Sequence, residues 1–406
     1  MWFESYLSER KQYVEVKGSK SEQYTSSIGV PQGGVLSAIL FILFTNDIVE
    51  ATNKLSFSIY ADDTCLIIAV DRDQYNETLK NELEKVVDWF SSNSLLLNVN
   101  KTEYIFFGPH YAKKYDKGEH DLVDLHYTAP VFLFDHHDPH YDGPNHIQVN
   151  KKGEFILQDL HSITPRYFNH EHIIDNEGNI TESNDKVKYL GIYIDEKLHF
   201  KYHINIVCCK INKVVGTLWK CLHLDIETKK IIYHSLAESH LNYGIVTWSS
   251  ELGKNLMLEK DMDHIPERLL PVRTAQNKVL RAVFGKSKKD KNTNEYTASS
   301  PLYKELDVLK FHDLYYYNIC ILVYDYFKCD DFPDAIRDIF IQPPQVNYEL
   351  RNDKCLTYKV PNQNNAYRKP SIAGTIMWNK LPEKIRNSQS KTSFKKALKK
   401  HFIDKY

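Results

Sequence analysis

The chain has no stretch of about 18 consecutive apolar residues, which excludes a membrane-spanning helix. Its start, Met1-Trp2-Phe3-Glu4, lacks both the basic residues and the apolar core of a secretory signal. Cysteine is sparse: seven residues, an odd number, with no CxxC spacing. That pattern excludes a disulfide framework and points to a reducing compartment. The neighbours Cys208 and Cys209 do not read as a metal pair. These absences together lead to the expectation of a soluble intracellular protein, nuclear or cytoplasmic. There is no excess of positive charge either, since the formal net charge is -1. A nucleic-acid surface would therefore have to come from local clustering of lysine and arginine. No helical, propeller or solenoid repeat is present. Finally, no aspartate occurs before Asp47.

What the chain does have is a globular composition. It holds 406 residues, 42% hydrophobic and 13% aromatic, enough for more than one domain and for substantial cores. Its organising stretch is Leu55–Val70, LSFSIYADDTCLIIAV. Two apolar runs rich in β-branched and aromatic residues flank a polar break at Ala61-Asp62-Asp63-Thr64, the pattern of a β-hairpin. On a regular strand adjacent side chains point to opposite faces, so Asp62 and Asp63 would diverge. At a hairpin tip that alternation relaxes, and both carboxylates can approach one point. Like charges held close repel unless a cation sits between them, and hard oxygen ligands suit Mg2+. Taken alone, these residues read first as an acidic turn, which most such pairs are, and second as a metal site.

Upstream stands Ile28-Gly29-Val30-Pro31-Gln32-Gly33-Gly34-Val35-Leu36-Ser37, running into the apolar block Ala38–Phe44. Pro31 fixes its own φ, while Gly29, Gly33 and Gly34 permit left-handed backbone and close approach. Ser37 is a candidate N-cap for a helix apolar nearly all round, and such a helix is expected to be buried. A glycine-rich turn before a core helix accounts for the glycines but not for Gln32. In this order and spacing, GVPQGGVLSAILFILFTNDI and FSIYADD resemble the central motifs of reverse transcriptases from non-LTR (LINE-like, jockey-type) retrotransposons. Gly34 and Ala38 depart from the pattern, where many relatives have serine and proline.

The resemblance implies an α+β fold: part of a right-hand polymerase palm, an antiparallel sheet with helices, followed by a helical thumb and a small helical C-terminal region. It implies nucleotidyl transfer with two Mg2+ ions. Asp62 would bridge the metals with Asp63 assisting, and Tyr60 and Ala61 would line the nucleotide floor. Pro31, Gln32 and Gly33 would shape the pocket for template and incoming nucleotide. The implied partners are an RNA template, a DNA primer and deoxynucleoside triphosphates, with no membrane involved.

On this reading residues 1–107 form the partial palm. WFESYLSERKQYVEV reads as a helix end, a polar link at Glu9–Gln12, and a strand. Asp71–Asn93 carries Tyr75, Leu79, Leu83, Val86, Val87 and Phe90 at three- and four-residue steps, which predicts an amphipathic helix packed on the core. Leu95–Thr102 resembles the family's LxLNxxKT motif. Lys101 is either an exposed lysine ending a loop or a positive charge near the incoming triphosphate. Glu103–Phe107 follows as a strand.

Residues 108–185 hold ten of the eighteen histidines, among them His136, His137, His140 and His146. Such clusters can bind zinc. Pro139, Gly143 and Pro144 disfavour helical ligand geometry, so a partly ordered polar insertion is expected instead. Lys186–Asp195 resembles the family's primer-grip hairpin, built around Leu190-Gly191.

Residues 196–250 read as the thumb, with amphipathic helices over 198–222 and 226–241. Their lysines, including Lys201, Lys210, Lys213 and Lys220, are either solvated or phosphate contacts. Residues 251–300 hold a linker and a helix at Ala275–Phe284, and residues 301–406 a helical, basic region. Trp378-Asn379-Lys380-Leu381-Pro382-Glu383 resembles the WNxLP signature near the end of these element proteins. Across Tyr367–Tyr406 eleven Lys/Arg face two Asp/Glu, a net of +9. That stretch is either a solvated basic helix or a nucleic-acid surface.

The sequence thus reads as a fragment of an RNA-directed DNA polymerase, with the fingers and first palm aspartate expected to precede Met1 in a full-length parent. A two-metal site needs that aspartate, so the chain is expected to be inactive alone. Glu15 matches no metal-binding motif, and Asp47 lies at the far end of the apolar helix. The alternative is a non-catalytic RNA- or DNA-binding remnant of a mobile element.

Overall fold

A computed structural model describes residues 2–26, 29–31, 33–69, 75–95, 102–107, 129–134, 186–257, 262–288, 298–337, 339–340, 356–357 and 368–406, with four two-residue strands between 148 and 181. The chain divides into two compact units, Met1–Leu190 and Gly191–Tyr406.

The first unit opens with helix α1 (Trp2–Leu7) and two short antiparallel ribbons. One pairs Arg10–Gln12 with Tyr24–Ser26, the other Glu15–Val16 with Ser19–Lys20. Part of the expected polar link is therefore strand. Helix α2 (Val35–Thr45) starts after Gly34, which caps it without a side-chain hydrogen bond. Ser37, expected as the cap, lies buried within the first turn, 3.2 Å from the Tyr6 hydroxyl. A Cβ on Gly34 would stand 2.8 Å from Ser37 Oγ, so a side chain there would require that hydroxyl to move. The expectation of a buried α2 also fails, because Val35, Ile39, Ile42, Leu43 and Phe44 are exposed. Apolarity all round states what a helix can bury, but covering it takes neighbours, and among the described residues only one side has them.

Strands β1 (Ser56–Tyr60), β2 (Asp63–Ile67), β3 (Thr102–Phe107) and β4 (Ala129–Phe134) form an antiparallel sheet in the order β1-β2-β4-β3. Strand β4 comes from the stretch read as a polar insertion. Its register sets Phe134 opposite both Thr64 and Thr102. The central β2 is buried on both faces. Leu66 packs with Ile48, Leu55, Leu83 and Val86, whereas Cys65 packs with Ile105 and Val187. Leu83 and Val86 come from helix α3 (Tyr75–Ser92), the amphipathic helix expected from its stripe. Burying each such aliphatic side chain contributes about 1.5–3 kcal/mol. Glu82 of α3 is buried and accepts hydrogen bonds from Thr52 and from Lys85 Nζ, which anchors the helix to the turn before β1.

Strand β5 (Lys186–Tyr189) closes the first unit and β6 (Ile192–Asp195) opens the second. In the second unit, helix α4 (Lys201–Lys220) buries Ile204, Val207, Ile211, Val214 and Leu218 at the expected spacing. Helix α5 (Ile226–Ile232) is capped by Asp225, which accepts the Thr228 backbone N–H at 2.8 Å. It runs on through a π-helical segment, Tyr233–Glu238, into helical Ser239–Asn242. Helices α6 (Leu270–Val283), α7 (Phe311–Lys328), α8 (Pro370–Lys380) and α9 (Lys391–Ile403) complete the layer. One core joins them, taking Ile211 and Trp248, then Val279, then Phe311, Trp378 and Phe394.

The buried polar centre of that core is Gln276, fully shielded from solvent. Its Nε2 donates to Leu309 O at 2.9 Å and to the Tyr233 hydroxyl at 3.0 Å. Its Oε1 accepts from the Tyr303 hydroxyl at 2.9 Å and from the Phe311 N–H at 2.8 Å. An unsatisfied buried polar group costs about 1–3 kcal/mol. Gln276→Ala orphans several at once and is expected to destabilise this unit by about 3 kcal/mol or more, read by urea unfolding through tryptophan fluorescence.

His203 of α4 is also buried, with Nδ1 accepting from the Tyr193 N–H at 3.5 Å and Nε2 without a partner among the described residues. Burial, reinforced by the charge of Lys210, pushes its imidazole down from 6.5 to about 4. The folded unit therefore keeps His203 neutral while the unfolded chain takes up its proton near 6.5. Stability is expected to fall as pH drops from 6.5 towards about 4. Thermal midpoints across that window should flatten in His203→Gln.

Candidate active site

Strands β1 and β2 pair from Ser56↔Ile67 to Tyr60↔Asp63, which leaves only Ala61 and Asp62 in the turn. Two-residue turns between strands need positive φ, which glycine, asparagine and aspartate adopt most readily. Here Ala61 takes that conformation, with φ 54°. An L-residue with a Cβ carries a strain of about 1–2 kcal/mol there. The strained residue sits between Tyr60 and the two carboxylates.

The tight turn preserves side-chain alternation almost to the tip. Asp62 and Thr64 line a cavity of about 320 Å³ together with Phe41 and Thr45 of α2, Ile48, Trp89 and Phe90 of α3, and Leu95. Trp89 and Phe90 meet edge to face, with ring centroids 5.4 Å apart. Asp63 has a different neighbour, since its charge bears on the Tyr189 hydroxyl. That hydroxyl lies 3.0 Å from Ser58 Oγ of β1. Burial first, then the neighbouring Cys65 and Asp63, push the Tyr189 phenol above its ordinary range, against the Ser58 hydrogen bond. Burial likewise pushes the Cys65 thiol up to about 11, so it stays a neutral thiol at physiological pH.

The other expected site residues are placed as follows. Tyr60 and Ala61 are exposed, Pro31 is half-buried, and Gly33, with φ 84°, is exposed in the loop that opens α2. Leu190 and Gly191, with φ 44° and 80°, form the turn between β5 and β6. Gln32 and Lys101 lie outside the described residues, as do His136, His137, His140 and His146. Tyr189, Ser58 and the Trp89-Phe90 pair were missed by sequence reasoning. Tyr189 adjoins the Leu-Gly pair, but nothing in the one-dimensional pattern marks Ser58.

Among the described residues no three His, Cys, Asp or Glu side chains cluster as metal ligands. The donors at the tip are two carboxylates. Mg2+ ordinarily takes one or two carboxylates, several waters and substrate phosphates, so the donor chemistry fits one hydrated ion. No described residue positions a second.

A family model for reverse transcriptase (RNA-dependent DNA polymerase) matches residues 1–194. That segment, just under half of the chain, is similar to the reverse transcriptase family. The matched segment contains the whole hairpin, the glycine-rich loop and the Leu190-Gly191 turn. The chain is also similar to a Drosophila melanogaster protein named "Probable RNA-directed DNA polymerase from transposon BS", at 24% identity over 257 residues. The match covers 60% of this chain and 22% of that relative, so the chain spans about a fifth of the relative's length. The description of the family model and the relative's name both refer to an RNA-directed DNA polymerase. No solved structure matches the chain.

In this matched segment, Ala61→Gly is expected to stabilise the first unit by about 0.5–1 kcal/mol. Relief of left-handed strain outweighs glycine's extra freedom in the unfolded chain. Urea midpoints compare the two, and a lowered midpoint in the variant would show that the turn is not strained.

Proposed function

We propose that the chain is part of an RNA-directed DNA polymerase, and that the hairpin end carrying Asp62 in the turn and Asp63 at the start of β2 is its catalytic end. The first unit then corresponds to part of a polymerase palm, with residues 196–250 as its thumb. The observation that carries the reading is the pair of adjacent carboxylates held at a strained turn beside a cavity, inside the segment matched by the family. A divalent cation bound there would supply charge stabilisation to the triphosphate and activate the primer hydroxyl.

The remaining work belongs to the chain's own residues. Asp62, at the mouth of the cavity, offers an oxygen ligand. Tyr60, exposed beside it, offers a ring face for the incoming nucleotide. Pro31, Gln32 and Gly33 shape the template pocket, and Lys101 offers its charge to the triphosphate. Leu190 and Gly191 serve the primer terminus. Template RNA, primer DNA and deoxynucleoside triphosphates are the partners in this reading. No described helix is long and apolar enough to cross a membrane. The family match favours polymerase descent over a non-catalytic binding remnant.

Two carboxylates are fewer than a pair of metal ions needs to hold its spacing. The chain alone is therefore expected to give no primer extension on an RNA template with Mg2+ or Mn2+. It is expected to bind Mn2+ together with a deoxynucleoside triphosphate, read by the loss of the free Mn2+ electron paramagnetic resonance signal. Asp62→Ala/Asp63→Ala should abolish that binding. Full binding by the double variant sinks the assignment of these residues. Extension that vanishes in the double variant would instead show that another carboxylate completes the site.

A further inference from the structure

Helix α9 concentrates positive charge that its own fold does not require. Phe394, Leu398 and Phe402, four residues apart, are buried and fix the inner face, and Ile403 is buried at the last residue of the helix. Five lysines stand on the same 13-residue helix, and the stretch Ser390–Tyr406 holds six lysines against one aspartate, a net of +5. Two of the five have protein partners. Lys391 Nζ lies 2.7 Å from Asp325 Oδ2, and Lys399 Nζ lies 2.7 Å from Asp307 Oδ2.

The other three, Lys395, Lys396 and Lys400, are exposed and have no carboxylate within ion-pair range among the described residues. At 100° per residue, Lys396 and Lys400 fall almost opposite the buried face, with Lys395 on its flank. Like charges at i and i+4, such as Lys396 and Lys400, weaken an isolated helix. Favourable interaction with the helix dipole explains only the last turn, and Lys395 and Lys396 lie before it. A polyanion laid along this face would relieve the repulsion, and its charge is complementary to nothing else on the helix.

We propose that the outer face of α9, through Lys395, Lys396 and Lys400, binds the phosphodiester backbone of nucleic acid. The choice of nucleic acid over another polyanion rests on the polymerase reading of the first unit. The surface lies beyond the residues matched by the family model and belongs to the second unit. Lysine ammonium groups read phosphate charge and carry no base specificity, so binding there is independent of sequence.

The test uses the full chain, a fluorescein-labelled single-stranded RNA and an RNA–DNA duplex, with anisotropy read across a salt series. Lys395→Gln/Lys396→Gln/Lys400→Gln should lower affinity about tenfold or more at 50 mM salt, on the order of three lost phosphate contacts. The log–log salt slope should become shallower by about 2 for single strands and nearly 3 for duplex. Lys391→Gln/Lys399→Gln, whose charges are already paired, should change either quantity far less. Circular dichroism and thermal midpoints verify that the variants fold.

An unchanged slope in the folded triple variant overturns the proposal, as does an equal loss in the paired-lysine control. Phosphatidylserine vesicles and polyglutamate form the remaining arms. Loss of binding to either of these with RNA binding intact overturns it in favour of that partner. Asp62→Ala/Asp63→Ala is run beside them for its Mn2+–nucleotide binding alone. If that variant retains Mn2+–nucleotide binding, the polymerase reading falls while the α9 result stands on its own.

Discussion

The Tyr60↔Asp63 pairing, with only Ala61 and Asp62 between the strands, constrains everything built around the hairpin. A longer loop would let both aspartates swing freely, and a shift of one residue would exchange the faces of every side chain in β2. With the register set, Leu66 must meet α3 while Cys65 must meet Ile105 and Val187. The same alternation carries Asp62 to the cavity and places Asp63 on the opposite face of β2. Core packing and site geometry are therefore one problem: whatever holds β2 in register also sets the heading of each carboxylate. The strain at Ala61 is sustained because two buried faces fix the strand behind it.

The second unit is organised by a polar group rather than an apolar one. Gln276 reaches four partners from separate parts of the chain, including Tyr233 in the π-helical segment. Local widening to i→i+5 bonding changes the phase of everything that follows it on the helix. Here it accompanies a fully buried Tyr233 whose hydroxyl accepts from Gln276, and a buried Ala237 one turn on. A buried amide with all its bonds made specifies one packing arrangement, since an alternative that moved any partner would leave a donor or acceptor unmet. The three stretches 196–250, 251–300 and 301–406 share this centre and its core.

Much of this was legible in one dimension, and the failures have physical causes. The hairpin was readable because β-branched runs flank an Asp-rich break. Helices α3 and α4 were readable because their stripes repeat at 3.6 residues. Strand β4 was hidden because APVFLF sits among histidines and prolines, so local composition pointed to a polar insertion. The cap of α2 was misassigned because Ser37 has the right chemistry three residues too late. Burial of α2 was misjudged for a different reason, as pattern reports appetite for contact and not the contact itself. The two carboxylates were expected to approach one point, but the tight turn leaves Asp63 in strand β2, where alternation with Asp62 persists. Tyr189 and Ser58, 131 residues apart, meet only through the tertiary fold.

The open face of α2 has a consequence for how this protein behaves in bulk. Val35 is 86% exposed and Leu43 67%. Near them in sequence, Ile39, Ile42 and Phe44 are each about half exposed, and Val49 follows one turn later. Contiguous apolar surface of this kind is sticky in water. It makes concentration a variable in the protein's colloidal state. Dilution, cosolvent and the choice of surface in contact with the sample then govern recovery as much as folding stability does. A preparation that is well folded by spectroscopy can still scatter light.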